Sequence, residues 1–142
     1  MTRSIRRFCG VASAAAVLVV ACSGGGASDS GLKEVQRVKS GSGDLEIVLL
    51  SEDGALNQGK EAFVIEFRRA DGSLVDAGTV STSANMAMPG MTMPGSVQVV
   101  RSAVPGRYRA TGDFGMAGGW QMKVEWNGPA GQGAVSFDGT VQ

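Results

Sequence analysis

Histidine is absent from the 142 residues, and cysteine occurs only twice, as Cys9 and Cys22. With no imidazole, and no thiol beyond residue 22, a zinc site built on His or Cys is excluded from the body of the chain. The nucleophile–base pairs that rely on His or Cys are excluded with it. No disulfide is expected. Long apolar runs are missing too. The longest, residues 8–21, has 14 residues, where a membrane-spanning helix needs about 20. The 13 basic and 13 acidic side chains balance and form no basic block, which argues against nucleic acid as a partner. No segment carries a sustained helical period.

What the N-terminus does have is the three-part layout of an export signal. Arg3, Arg6 and Arg7 precede the apolar run, which ends in small residues. Its close, Val19-Val20-Ala21-Cys22, resembles the bacterial lipobox, with Val19 standing where the pattern prefers Leu. The resemblance implies cleavage before Cys22, lipid on its sulfur and a multiply acylated N-terminus, since stable anchoring takes more than one acyl chain. Residues 1–21 are then the signal peptide, and Cys9 leaves with it. The resemblance further implies an extracytoplasmic lipoprotein held at a membrane through Cys22. Ser23, a non-Asp residue after the cysteine, implies the periplasmic face of the outer membrane if the source is Gram-negative. Cleavage removes three arginines and no acid, leaving 10 basic against 13 acidic side chains, a net of −3 over 121 residues.

Residues 22–43 are mostly Ser, Gly and charge. Such a composition buries no core and predicts a flexible tether, with a reach of roughly 25 Å. Leu32, Val35 and Val38 interrupt it and leave room for a short ordered piece. From Asp44 the pattern turns to period two. Leu45, Ile47 and Leu49 alternate with other residues, as do Phe63, Ile65 and Phe67, then Val97 and Val99. Tyr108, Ala110 and Phe114 share one parity against Arg107, Arg109, Thr111 and Asp113. The cleanest run sets Trp120, Met122, Val124 and Trp126 against Gln121, Lys123 and Glu125, and Val135 and Phe137 close the series. Alternation of this kind means strands with one face buried and one wet. Asp53-Gly54, Asp71-Gly72, Pro105-Gly106 and Asn127-Gly128-Pro129 supply turns between the runs. About seven short strands in residues 44–142 predict an all-β domain, a small antiparallel sandwich of immunoglobulin-like type.

The most unusual segment is a tandem pentapeptide, Met86-Ala87-Met88-Pro89-Gly90 and then Met91-Thr92-Met93-Pro94-Gly95. A Pro-Gly step in each copy rules out a helix or a regular central strand. The segment is expected to be a loop at one end of the sandwich, between a strand ending near Ser83 and one starting near Ser96. In an extended Met-x-Met both side chains point the same way, about 7 Å apart at Cα. A Pro-Gly turn can bring the second pair round to the first. Thioether is a soft, neutral donor that suits Cu(I) and Ag(I) and serves hard cations poorly. Met86, Met88, Met91 and Met93 are therefore candidate soft-metal ligands. Met116, in the turn before the Trp120 run, is a candidate fifth ligand if that turn lies at the same end. The alternative is packing or partner contact, the common uses of methionine. Met122 and Trp120 are read as core, although Trp120 could face a bound cation.

Catalysis finds little support. Asp71 and Asp76 are close in sequence, but Asp at such places normally forms turns. Lys33, Lys39, Lys60 and Lys123 have no evident activating neighbour. The expectation is a chain that is not an enzyme.

Asp71-Gly72, the Met-Pro-Gly-Met segment, Pro105-Gly106-Arg107-Tyr108 and Phe114-Gly115-Met116-Ala117-Gly118-Gly119-Trp120-Gln121-Met122 resemble, in order and spacing, the YtkA-like/FixH-like domain. The resemblance covers roughly residues 44–137. It implies a small extracytoplasmic β-sandwich of a family associated with heavy-metal efflux systems, with an efflux component as partner. Many relatives carry His in or near the methionine segment. This chain has none, which favours Cu(I) over Cu(II). Two functions follow as expectations. One is a lipid-anchored Cu(I)/Ag(I) module that buffers copper or delivers it to an efflux component. The other is an adaptor whose sandwich and methionines dock a membrane protein.

Overall fold

The computed structural model describes residues 31–142. The expected signal at 1–21, the expected lipidation site Cys22 and the expected tether up to residue 30 lie outside the described residues. Eight strands follow one another: β1 (Lys33–Lys39), β2 (Leu45–Ser51), β3 (Gly59–Arg69), β4 (Thr79–Met88), β5 (Met91–Arg101), β6 (Arg107–Phe114), β7 (Gly118–Gly128) and β8 (Gly131–Val141). Every strand ladder is antiparallel, and the order is β1-β2-β3-β6-β5-β4-β7-β8. The end strands β1 and β8 approach each other, so the sheet is nearly closed into a barrel. The all-β antiparallel expectation holds, with one more strand than the seven read from the pattern. Two walls, β1-β2-β3-β6-β5 and β5-β4-β7-β8, share β5. All eight strands and the core lie within residues 31–142.

The period-two runs become these walls because alternate side chains fill one interior. Trp120, Met122, Val124 and Trp126 are buried while Gln121, Lys123 and Glu125 are exposed. Phe67 meets Tyr108 and Trp126 edge-on, at ring separations of 5.5 and 5.4 Å. Phe114 and Trp120 form a similar pair at 5.3 Å toward the other end. The Tyr108 hydroxyl donates to the Gly78 carbonyl at 2.9 Å, which ties β6 to the start of β4. A cavity of about 310 Å³ opens at the β1–β8 seam, floored by Leu49, Phe114, Trp120, Met122 and Phe137.

Two features depart from the simple pattern. The ordered sheet begins at Lys33, inside the segment expected to be tether. Val35 and Val38 are three apart, the wrong spacing for one face of a regular strand. A bulge between Glu34 and Gln36 inserts Val35 as an extra residue, so both valines pack against the core. The second departure is on the outer side of β2 and β3. Val48, Leu50 and Val64 are buried there, with Leu32 packed against them. Glu66 is only 1% exposed on the same face. Its carboxylate accepts from Arg68 Nε at 2.7 Å and Arg107 Nε at 2.8 Å, so the buried charge is matched from two sides.

Candidate metal site

The methionine segment is a β-hairpin rather than the expected loop. β4 runs on to Met88 and β5 starts at Met91, leaving only Pro89 and Gly90 as the turn. Proline fixes a negative φ at the first turn position, and Gly90 supplies φ +81° at the second, the pattern of a type II turn. Pro94 is tolerated within β5 for a positional reason. Counting outward from the turn, hydrogen-bonded and non-bonded pairs alternate, and Asn85↔Pro94 falls on a non-bonded pair. The missing N–H therefore faces away from β4. It faces the side where β6 starts pairing only at Ser96.

The register brings the methionines together. Met86 lies opposite Met93, and Met88 opposite Met91. Residues two apart on a strand share a face, as do directly opposed residues, so all four side chains lie on one face of the hairpin. It is the inward face. Met86 is 9% exposed, Met88 and Met93 are half-buried against the core, and Met91 at the tip is 60% exposed.

The turn between β6 and β7 closes over this face. Gly118 has φ +135°, and a Cβ placed on it would lie 2.3 Å from the Met86 terminal methyl. A Cβ on Gly115 would lie 3.9 Å from the Met93 sulfur. The two inner thioethers thus meet the two ends of the turn that carries Met116, which places Met116 at the same end of the barrel as the hairpin. Met116 itself is 41% exposed. Its carbonyl accepts from Trp120 Nε1 at 2.9 Å, and the Gly115 carbonyl accepts from Gln58 Nε2 at 2.9 Å. Trp120 is buried, with its ring over Gly95 and against Phe114. Met122 is buried two residues further along β7, opposite Ala84.

Among the described residues no group of three or more His, Cys, Asp or Glu side chains is placed to hold a metal ion. The donor set at the hairpin is thioether alone, which matches a soft monovalent ion. The two aspartates raised by the sequence are engaged in turns. Asp71 Oδ1 accepts from the Ser73 hydroxyl at 2.6 Å and its amide at 2.9 Å, and these contacts hold its carboxyl below the usual value. Asp76 Oδ1 accepts from the Gly78 amide at 2.8 Å and from Arg101, which lowers its pKa likewise.

The sequence names the five methionines as candidates but gives no sign of the residues packed against them. The contribution of Gly118, Gly115 and Gln58 shows only once the turn is folded against the hairpin. No curated protein matches the chain. Residues 39–125 match the YtkA-like family, a span that takes in seven of the eight strands in whole or part and the complete methionine cluster. By that match over more than half of its length, the chain belongs to the YtkA-like family.

Proposed function

We propose that this chain is a lipid-anchored, extracytoplasmic module that binds Cu(I) or Ag(I) and buffers it or hands it to a heavy-metal efflux component. The observation that carries the reading is the register of the hairpin, which stacks Met86 on Met93 and Met88 on Met91 on one inward face. The Met116 turn supplies a fifth thioether at the same end. Thioethers need no deprotonation, so the affinity should change little with pH. The reading assigns no catalytic role to any residue. The anchor rests on the sequence around Cys22. Detergent partitioning that persists in a Cys22→Ser chain would contradict it.

The test is a Cu(I) titration of the chain from Ser23 onward under a competing chelator. A variant with Met86, Met88, Met91 and Met93 all changed to Leu serves as control. Leucine keeps bulk and apolarity, so it separates ligation from packing. Binding is expected in the parent and a loss of about 100-fold or more in the variant. Equal behaviour of the two would end the proposal. It would leave the second reading, an adaptor whose methionine surface docks a membrane protein. The exposure of Met91 and Met116 favours that alternative.

A further inference from the structure

The methionines are not equivalent, and their difference gives the ion a direction. The β4–β7 ladder stops at Asn85↔Gln121, and the β5–β6 ladder begins at Ser96↔Asp113. Between those points the hairpin strands pair only with each other. Residues 86–94 thus form a two-stranded arm detached from the ladders on either side, with the β6–β7 turn against its inner face. The arm has two rungs. Met86 and Met93 form the inner rung, against Gly118 and Gly115. Met88 and Met91 form the outer rung, beside the Pro89-Gly90 turn. Exposure rises from 9% at Met86 to 60% at Met91.

The arm carries no charge of its own. No side chain in residues 77–100 is ionisable, so the arm and the strands leading to it are neutral. A partner cannot be steered to this tip by complementary charge from the arm. It can be recognised by apolar contact and by soft donors that compete for the ion.

Resting on the functional reading above, we propose that the ion enters and leaves through the outer rung. Met86 and Met93 retain it, and Met91 with Met116 exchanges it. The partner that takes it presents an uncharged, thioether-bearing segment to the tip of the arm. Exchange is a stepwise replacement of neutral ligands. A donor from the partner binds as an arm thioether leaves, and no proton or electron moves. An exposed Met91 shortens that path because it can swing out with the ion while the inner pair still holds it. Removing it blocks the way out more than it weakens the resting site.

The experiment measures equilibrium affinity and transfer rate on the chain from Ser23 onward, which contains all eight strands and the core of the described residues. Neocuproine, a neutral Cu(I) chelator, is the acceptor. Met91→Leu is expected to slow transfer about tenfold while raising Kd less than Met86→Leu does. Met86→Leu is expected to raise Kd about tenfold or more and to speed loss of the ion. The inference is overturned if Met91→Leu raises Kd as much as Met86→Leu, or if Met91→Leu transfers as fast as the parent. A parent chain that binds no Cu(I) overturns the functional reading itself. The equilibrium arm therefore tells the two failures apart.

Discussion

Trp120→Ala is expected to lower the unfolding free energy by about 3–5 kcal/mol, the range for deleting a large buried aromatic. Trp120 is almost fully buried, packs edge-on to Phe114 and covers Gly95 where β5 passes from one wall to the other. The seam cavity already adjoins the ring, so truncation enlarges an existing void. The same change removes the indole donor that holds the Met116 carbonyl. Cu(I) affinity should therefore fall about tenfold even at temperatures where the variant remains folded. Trp120→Phe separates the two effects. It keeps most of the packing, costs about 1–2 kcal/mol for the lost hydrogen bond, and still frees the turn. Urea denaturation and chelator competition measure the two quantities. A Trp120→Ala chain within about 1 kcal/mol of the parent would show that the aromatic pair does not close this end of the core.

Gly118→Ala is expected to do the opposite, injuring the site more than its size suggests. At φ +135° an L-residue is strained, a cost of about 1–3 kcal/mol. The new methyl would also occupy the place of the Met86 terminal methyl, 2.3 Å away. A flexible thioether arm can yield, so the fold should survive, but it yields by leaving the inner rung. Cu(I) affinity should drop about tenfold or more. Gly115→Ala is the matched control. Its Cβ would touch the Met93 sulfur at an ordinary 3.9 Å, so affinity should stay within about threefold of the parent. Equal affinity in the Gly118→Ala chain and the parent would mean that Met86 is not a ligand.

Where one face of a strand is buried and the other wet, the pattern was readable. β7 is the clearest case, since each inward residue from Trp120 to Trp126 is buried and each residue between them is exposed. β1 was hidden because its two valines have the wrong spacing until a bulge realigns them, and because Gly and Ser flank it. The outer face of β3 misled in another way. Glu66 has the parity of a wet residue, yet two arginines from β3 and β6 enclose it. Arg68 lies two residues along the same strand, but Arg107 comes from β6, and a cross-strand partner has no local signal in the chain.

The methionine cluster was legible in composition and in the Met-x-Met spacing, but its form was not. Two Pro-Gly steps read as a loop. Only one of them is a turn, and the other lies on a strand side without a partner, where a missing N–H costs nothing. Which Pro-Gly turns and which extends depends on where β6 begins to pair, and that is a tertiary fact.

The central claim is that thioethers alone hold the ion. The most direct measurement is the copper K-edge X-ray absorption spectrum of the chain from Ser23 onward loaded with one equivalent of Cu(I). The expected spectrum is a Cu(I) edge with sulfur as the only directly bonded scatterer, and it is lost when Met86, Met88, Met91 and Met93 are changed to Leu. Directly bonded nitrogen or oxygen, or the same spectrum from the leucine variant, would contradict that claim.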